Sequence, residues 1–518
     1  MTMIYRLLPF WIVTLILAGL VSCDAGLTGN LKENQPPRTF LTVNEINLDQ
    51  DNSAERRLVS QVHISWWGDD PDGYVVAFEY AITDRDWIYS PETEGEVEWI
   101  RTERTDSVFV LPIPPGEKIA DVRFTVRAID NEDLRDPEGA SVIFPIENSP
   151  PEVNIHRVAT PQQEMEAPPD TTYHVASIGW TATDPDGDDN LSHFEVVMND
   201  TLAEWTRIPV DVSFLSFRIT EPAGDQTSAT VYLGRSFTRS DIVLDNIRMD
   251  SENTFYIRAV DNAEATSPID SFTWFIKEQT SRVLFINDYA GVARPDAMAR
   301  HRQVLRDIGI TQFDYIETLD GVASGGQKVP ISRAFHRPVD PTLNQVLAEW
   351  DHIYWVSDDI DRNITYALRS TIEFFENGGT MFVNIPTKRL DDDDPIFNFL
   401  PFERMESVPP GGFIGFNIPR NARLLPVNAE LSDTLTIIRD SRSSYPAFPA
   451  GDTRRFFNAE FRLLPFHDPN VEFSKLLATG APDNSIIFLG YQLERIEAGE
   501  GLNRTMRFFL EELNFPVD

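Results

Sequence analysis

Between residues 60 and 280, short stretches of the chain alternate apolar and polar positions. In one of them Val62, Ile64 and Trp66 alternate with His63 and Ser65. The stretches YVVAFEYAI, RFTVRAID, HFEVVM and TFYIRAVD repeat the period of two. Because successive side chains of a strand point to opposite faces of a sheet, this pattern predicts strands buried on one side. Turn sequences such as DPDG separate the stretches, so the region predicts antiparallel β-sandwiches.

The alternating region contains the same landmarks twice. The sequence ENQPP at 33–37 returns as ENSPP at 147–151, and DPDG at 70–73 returns at 184–187, both shifted by 114 residues. VRAIDN at 126–131 returns as IRAVDN at 257–262, shifted by 131 residues. Three landmarks in one order predict a duplicated domain, with copies over 33–146 and 147–279.

Both copies resemble fibronectin type III domains. The features that match are the core tryptophan of that family, a second frequent aromatic position and the penultimate strand. In this chain they correspond to Trp66 and Trp180, to Trp99 and Trp205, and to VRAID and IRAVD. The corner tyrosine of the family is replaced by Val122 and Asn253, so a neighbouring Ig-like class stays an alternative. The resemblance implies spacers or binding modules, and the fold alone does not decide between them.

The acidic turn DPDGDD of the second copy is a candidate calcium site. It places Asp184, Asp186, Asp188 and Asp189 close together, and Asp261 follows a later strand that returns to the same end. Ca²⁺ is held by six to eight oxygen ligands of this kind. The alternative is a turn whose aspartates accept hydrogen bonds from their own backbone amides. Calcium is the only cofactor that the sequence suggests.

After residue 280 the pattern changes to continuous apolar strands that alternate with helices. RVLFIN, FDYIE, HIYWVS, TMFVNI and SIIFLGY predict strands, and the stretches between them and at the end have the helical period. Strands that are apolar on both faces are typical of a parallel sheet covered by helices. Residues 280–518 therefore predict an α/β domain with a mostly parallel sheet.

This strand order, together with WVSDD before a long helix that ends in NGG, resembles the flavodoxin-like sheet of class I glutamine amidotransferase-like domains. The resemblance implies a nucleophilic cysteine on a tight turn after a central strand, but TMFVNI is followed by PTK and the chain has one cysteine, Cys23. A triad of Ser357, His301 and Asp358 is a conceivable substitute, and a turn that caps the next helix is the simpler interpretation. We therefore expect a domain that does not catalyse the reaction of its relatives.

Ligands of open α/β sheets bind beyond the carboxyl ends of the strands. The polar residues predicted there are Asp288, Ser357, Asp358, Asn384, Thr387 and Tyr491. An insertion over about 390–480 contains VPPGGFIGF and RRFFNAEFRLLPF. Two interpretations stay open for it: it caps this edge of the sheet, or it completes the core.

The first residues have the pattern of an export signal. Arg6 precedes an apolar run from Leu7 to Val21, and LVSC at 20–23 resembles the lipobox of bacterial lipoproteins. The resemblance implies a signal peptide over 1–22, a lipid on Cys23 that anchors the protein to a membrane, and a tether over 23–32. The alternative is an ordinary signal peptide with an incidental cysteine.

The formal net charge of −38 excludes a nucleic-acid partner, because phosphate binding needs clustered lysine and arginine. These features predict a non-catalytic, lipid-anchored protein of the cell envelope that acts in ligand binding or assembly at the cell surface. Its partner would be a surface ligand, either a glycan or a protein. The alternative is an envelope hydrolase, with glycans among its candidate substrates, that uses carboxylates at the edge of the sheet.

Overall fold

The computed structural model describes residues 33–43, 61–114, 117–157, 166–220, 227–290, 293–318, 342–362, 364–441 and 443–517. The predicted signal peptide, the tether and Cys23 lie outside these ranges. The described residues form two compact units. One extends to Ser149 and includes Pro185–Gly187, and the other comprises Pro150–Asp184 and the chain from Asp188 onwards.

The first unit is a sandwich of seven antiparallel strands in its described part. One sheet has the order β1-β2-β5 and the other the order β4-β3-β6-β7. The strands are β1 (Arg38–Val43), β2 (Gln61–Asp69), β3 (Val75–Asp84), β4 (Ile100–Thr102), β5 (Asp106–Val110), β6 (Ile119–Asp130) and β7 (Ala140–Glu147). Trp66 is 2% exposed and packs against Phe78, Phe109 and Phe124. The predicted sandwich is therefore confirmed, with Trp66 at the centre of its core.

The second copy repeats this order and adds strands to it. Its sheets, in the described residues, are β15-β14-β13-β10-β8 and β12-β11-β16-β17-β9. The strands are β8 (Glu152–Ile155), β9 (Thr171–Thr172), β10 (Val175–Thr183), β11 (Leu191–Met198), β12 (Thr206–Pro209), β13 (Phe214–Arg218), β14 (Thr227–Leu233), β15 (Thr238–Ile247), β16 (Ser251–Asp261) and β17 (Asp270–Ile276). The hairpin of β14 and β15 has no counterpart in the described first copy. It lies between the landmarks whose shifts are 114 and 131 residues, so it accounts for that difference.

An arginine that pairs with a glutamate and stacks on a tryptophan is present in both copies. Arg127 donates to the Glu79 carboxylate at 2.7 Å and lies 4.0 Å from the centre of the Trp99 ring. In the second copy Arg258 donates to Glu195 at 2.7 Å and lies 4.4 Å from the Trp205 ring. Each arginine faces its glutamate across neighbouring antiparallel strands. The duplication therefore preserves an ion pair covered by an aromatic ring, as well as the strand order.

Asn253 stands at the position of the family's corner tyrosine and is fully buried. Its amide nitrogen donates to the Arg248 and Ser251 carbonyls at 2.7 and 3.1 Å, and its oxygen accepts from the Arg248 amide at 2.9 Å. The Asn199 side chain donates to the same oxygen at 2.8 Å. The buried amide therefore fixes the corner between β15 and β16.

The second sandwich and the C-terminal domain belong to one unit and share a buried joint. The rings of Tyr173 and Trp350 meet edge to face, with centres 4.9 Å apart. Arg218 pairs with Glu349 at 2.6 Å, and the Gln279 side chain donates to the Glu349 carbonyl at 2.9 Å. Burial raises the pKa of Tyr173. Because aromatic packing, an ion pair and hydrogen bonds all occur at this joint, we expect the two domains to move together.

The C-terminal domain is built on a mixed sheet that has eleven strands in its described part. The helices are α1 (Arg294–Asp307), α2 (Thr342–Leu347), α3 (Ile364–Ser370), α4 (Ile372–Glu376) and α5 (Glu500–Glu512). The strands are β18 (Val283–Asp288), β19 (Asp314–Glu317), β20 (His352–Ser357), β21 (Thr380–Asn384), β22 (Arg404–Met405), β23 (Gly415–Asn417), β24 (Arg423–Pro426), β25 (Leu435–Thr436), β26 (Ala447–Phe448), β27 (Arg454–Ala459), β28 (Arg462–Leu464), β29 (Leu476–Gly480) and β30 (Ile486–Leu489). No helix in the described ranges is both long and apolar enough to cross a membrane.

The expectation of a mostly parallel sheet was wrong for half of this sheet. Five neighbouring strands of the sheet pair in parallel, as predicted, in the order β19-β18-β20-β21-β30. From β29 the sheet continues through antiparallel pairs to β27, β24 and β25. All of these added strands come from the insertion, and antiparallel strands need no helical crossover between them. Buried Leu424, Phe456 and Leu477 join the main core, so the insertion completes the core.

Candidate functional site

The first group of predicted edge residues lies where β18 and β20 end. Asp288 and Ser357 face each other in the register of these strands, and both are fully buried. The Ser357 hydroxyl donates to Oδ2 of Asp288 at 2.8 Å, and the Thr318 hydroxyl donates to Oδ1. Asp358 Oδ1 accepts from the Ala290 amide at 3.1 Å and from Arg362 at 2.6 Å. These side chains therefore hold the two strand ends together.

The second group lies where β21 and β30 end. Asn384 donates to the carbonyls of Leu489 and Tyr491 at 2.9 and 2.8 Å. The Tyr491 hydroxyl donates to the Arg439 carbonyl at 2.5 Å, and burial raises its pKa to about 12. The Thr387 and Ser444 hydroxyls lie 3.1 Å apart. Asn384, Thr387 and Tyr491 therefore bond to neighbouring parts of the chain and are at most 1% exposed.

The triad of Ser357, His301 and Asp358 that the sequence allowed does not form. His301 is fully buried in α1, and its Nδ1 lies 2.8 Å from the Tyr354 hydroxyl. Burial lowers the pKa of His301 to about 3, so the ring is neutral at pH 7. Ser357 instead accepts from the Asp359 amide at 3.2 Å and forms a local turn. Ser357 therefore fits the role of a turn residue better than the role of a catalytic nucleophile.

The sequence prediction missed a second buried polar pair near this edge. The Tyr289 hydroxyl donates to Oε2 of Glu494 at 3.2 Å. Burial raises the pKa of both groups, and for Glu494 the nearby Asp358 charge adds to the effect. Thr318 directly follows β19, so a search for polar residues at the ends of predicted strands could have found it. Glu494 lies three residues beyond the predicted strand SIIFLGY and 205 residues from Tyr289, so no local signal marks their contact.

An open cleft of about 580 Å³ lies just beyond β21. Arg389 precedes the insertion, and every other residue of the lining belongs to it. The residues that line it are Arg389, Leu390, Asp391, Asp392, Met405, Glu406, Ser407, Val408, Phe413, Ile414 and Tyr445. The Ser444 hydroxyl next to Tyr445 contacts Thr387, so the cleft adjoins the buried edge residues.

The two stretches singled out in the insertion meet beside this cleft. VPPGGFIGF and RRFFNAEFRLLPF supply β23 and β28, which pair with Gly415 opposite Leu464. The rings of Phe413 and Phe466 have centres 4.8 Å apart, and Phe466 is 54% exposed. Ile414 is 73% exposed. The insertion therefore contributes an apolar rim to the cleft as well as completing the core.

Two aspartates of the predicted calcium turn, Asp186 and Asp188, accept hydrogen bonds from backbone amides. Asp186 Oδ2 accepts from the Ser149 amide at 2.6 Å, and Asp72 repeats this bond in the first copy, with the Gln35 amide at 3.3 Å. Asp188 Oδ1 accepts from the Asp184 amide at 3.1 Å. The turn thus has a structural role that does not need an ion.

Asp261 has the same role at the later strand. Its Oδ1 accepts from the amides of Ala263 and Ala265 at 2.9 and 2.8 Å, and Asp130 makes the equivalent bonds in the first copy. Asp189 is exposed. Within the described ranges, no three histidine, cysteine, aspartate or glutamate side chains form a group that could hold a metal ion. These hydrogen bonds are those that the turn alternative expects, and the calcium site stays a prediction.

No protein-family model matches the chain, and no curated protein matches it. Several solved structures have some similarity to it. Fibronectin(III)-like modules of Clostridium thermocellum CbhA are 15% identical, with a TM-score of 0.17, over 46% of this chain and 95% of theirs. The central fibronectin-III array of RIM-binding protein is 13% identical, with a TM-score of 0.14, over 45% of this chain and 96% of its own.

The chicken interferon gamma receptor alpha chain is a third similar structure. It is 10% identical, with a TM-score of 0.18, over 46% of this chain and 98% of its own. Because these scores are low, the assignment of two β-sandwiches rests on the strand pairing described above. In the first copy β4 pairs with β3, whereas the fourth strand of a constant-type Ig domain joins the sheet of the first, second and fifth strands. This pairing distinguishes the first copy from that Ig class.

Proposed function

We propose that the protein is a non-catalytic lipoprotein of the cell envelope whose C-terminal domain binds a ligand or an assembly partner at the cell surface. The observation that carries this proposal is the buried hydrogen bond from Ser357 to Asp288, 2.8 Å long. A serine nucleophile needs a base that takes its proton and an open position for the substrate. Ser357 faces a carboxylate that the Thr318 hydroxyl also contacts, and it is fully buried.

The cleft beside β21 is the surface through which we propose that the domain binds. Arg389, Asp391, Asp392 and Glu406 supply charged groups, and Phe413 and Tyr445 supply aromatic rings. A concave site with a few polar groups among apolar walls is typical of ligand binding. The lipid on Cys23, which we retain as a proposal, would tether the protein to the membrane.

The experiment that tests this proposal begins with the mature protein purified from its native membrane. Mass spectrometry under native conditions identifies any molecule bound to it, and calorimetry then measures the binding of that molecule. We expect Asp391→Asn to weaken binding, whereas Glu497→Gln, which changes an exposed carboxylate outside the cleft lining, should have no effect. Equal affinity of both variants and the native protein would contradict the assignment of the cleft.

The same cleft provides the observation that favours the alternative, an envelope hydrolase acting on glycans among other candidate substrates. Asp391, Asp392 and Glu406 line it together, and glycoside hydrolysis commonly uses two carboxyl groups. Glu406 already accepts a hydrogen bond from the Ser474 amide at 2.8 Å, which gives it a structural role. Turnover that disappears in Glu406→Gln while binding persists would support the hydrolase.

A further inference from the structure

The strand β5 is an open edge of the first sandwich. Within the described residues it pairs with β2 on one side and has no neighbour on the other. Its exposed positions are Asp106, Val108, which is 56% exposed, and Val110, which is 45% exposed. Proteins usually protect such edges with charges, prolines or bulges, because unpaired backbone groups beside apolar side chains readily pair with another strand. Val108 and Val110 provide no such protection.

The second copy shows what covers the same edge. Its counterpart of β5 is β13, which pairs with β10 as β5 pairs with β2. The other side of β13 pairs with β14 in antiparallel orientation, with Ser216 opposite Tyr232. The sheet then ends at β15, which carries exposed Arg239, Asp241 and Asp245 and pairs with shifts of register. In that copy an antiparallel strand covers the edge, and a protected strand ends the sheet.

The backbone groups of three residues of β5 point to its open side. The Trp66 amide donates to the Thr105 carbonyl at 2.7 Å, so Thr105 faces β2. In an antiparallel pair, successive residues direct their backbone groups alternately toward the partner strand and away from it. The residues that face away are therefore Asp106, Val108 and Val110.

The second copy shows the same alternation. The Trp180 amide donates to the Ser213 carbonyl at 2.9 Å, as Trp66 does to Thr105. The next residue, Phe214, accepts from the Gly234 amide at 2.9 Å, on the side of β14. Backbone groups that bond to β14 in the second copy thus have free counterparts on β5, within the described residues.

We propose that β5 pairs in antiparallel orientation with β5 of a second molecule of this chain. A two-fold axis between the two Val108 residues lets each donate to the other and accept from it. Asp106 of each molecule then lies opposite Val110 of the other, so no like charges face each other. The Asp106 carboxylate stays 3.1 Å from His63 of its own molecule. The valines of both molecules form one apolar row on the joined sheet.

The strand register favours this occupant over a domain docked on the face of the sheet. In the second copy Arg218, on the corresponding face, pairs with Glu349 of the C-terminal domain. Val110 occupies the position of Arg218 in the first copy, so that ion pair has no counterpart. An unrelated strand would need an apolar centre and no acidic residue opposite Asp106. A second β5 meets both conditions with its own sequence.

The first test is cross-linking of residues 24–518, which lack both the lipid and Cys23, the only cysteine of the chain. In the proposed register the two Val108 Cα atoms lie about 5.5 Å apart, a distance that a disulfide can bridge. Val108→Cys should therefore form disulfide-linked dimers under mild oxidation. The matched control is Ile88→Cys, because Ile88 is 68% exposed and lies outside the strands. We expect the control to form dimers about tenfold more slowly.

The second test is analytical ultracentrifugation of the same chain without added cysteines. Val108→Pro removes the outward amide and leaves the bonds to β2, as proline does on edge strands. Val108→Thr is its control, because threonine keeps both the amide and the branched shape. Equal melting temperatures of the three proteins would show that the fold is intact. If the proline variant melts earlier, the cross-linking comparison decides alone.

We expect the native chain and the threonine variant to form a weak, reversible dimer, since one strand pair is a small interface. The proline variant should have an association constant lower by about tenfold or more, because two backbone hydrogen bonds are lost. Added salt should strengthen the dimer, because it screens the repulsion between two chains of net charge −38.

Four results would overturn the proposal. The first is a native chain that stays monomeric up to about 1 mM, including one whose β5 binds only a strand of another protein. The second is a proline variant that associates as strongly as the native chain. The third is a threonine variant that loses association as the proline variant does, since side chains on the face would then make the contact. The last is cross-linking of Val108→Cys no faster than that of Ile88→Cys.

Discussion

The Ser357 hydroxyl and the Asp288 carboxylate form a direct hydrogen bond, 2.8 Å long, between two neighbouring parallel strands. Both residues stand at strand ends, where α/β proteins commonly bind ligands. Here they are fully buried, and Thr318 contacts the second oxygen of the carboxylate. Polar groups at this edge thus stabilise the sheet, while the open cleft is formed almost entirely by residues of the insertion.

The buried Glu494 should make stability depend on pH. Burial raises its pKa above the ordinary value of 4.5, so the folded state holds this proton more tightly than the unfolded chain. The contribution of the group is complete below the unfolded pKa and is lost as the pH rises through the folded value. We expect Glu494→Gln to stabilise the protein at pH 8 by about 1 kcal/mol, or roughly 2–4 °C, and to have little effect at pH 4. Melting curves at both pH values measure this, and equal shifts at the two would contradict it.

The two arginine–glutamate pairs should differ in their effect on stability. The Arg127 side chain is 5% exposed and that of Arg258 is 29% exposed. Removing Arg127 leaves the buried Glu79 carboxylate paired with Arg135 alone, at 3.1 Å, which costs on the order of 2 kcal/mol. A more exposed pair contributes about 1 kcal/mol or less. We therefore expect Arg127→Met to destabilise its sandwich more than Arg258→Met does. Hydrogen exchange on the whole chain, followed separately in β6 and β16, measures both effects, and the reverse order would refute this explanation.

Asn253 should be necessary for the corner of the second sandwich. Asn253→Ala removes four hydrogen bonds and leaves buried backbone groups without these partners. We expect a loss of about 3 kcal/mol in the free energy of unfolding, measured by denaturant titration. Asn253→Asp keeps an acceptor for the Arg248 amide but faces two carbonyls with a buried carboxyl group, so it should not restore the lost stability. A loss below about 1 kcal/mol for the alanine variant would contradict the role of the amide.

Cys23 is expected to anchor the protein. Cys23→Ser should leave the melting temperature unchanged, because the residue precedes the predicted domains, and should move the protein from the membrane fraction to the soluble fraction. Fractionation followed by mass spectrometry of the native N-terminus measures both properties. An unmodified Cys23 in the native protein, or cleavage at another position, would refute the lipoprotein assignment.

Local patterns were sufficient to predict the sandwiches. The alternation around Trp66 and Trp180 located the core strands β2 and β10, and the repeated landmarks located both copies. The shift from 114 to 131 residues showed that the second copy is longer. It did not show that a hairpin, β14 and β15, adds to one sheet, because the position of an added strand depends on its pairing partners.

The edge of the C-terminal sheet could be predicted only in part. Asp288 and Ser357 were both predicted at strand ends. They lie beside each other because the neighbouring parallel strands β18 and β20 end at the same side of the sheet. Asp288 is also contacted by Thr318 and Arg362, which are 30 and 74 residues away in the sequence, and no local pattern shows these contacts. The antiparallel half of the sheet was missed because strands as short as Arg404–Met405 and Leu435–Thr436 are too short to show an alternation of apolar and polar residues.

The most direct test of the central claim measures turnover by the purified mature protein on panels of ester, amide and glycoside substrates. We expect no hydrolysis, and we expect the molecule recovered with the protein to be chemically unchanged. Ser357→Ala should lower the melting temperature, because it removes the buried hydrogen bond to Asp288, without changing any measured rate. Hydrolysis by the native protein that disappears in Ser357→Ala or in Asp288→Asn would contradict the account and place the protein among the enzymes.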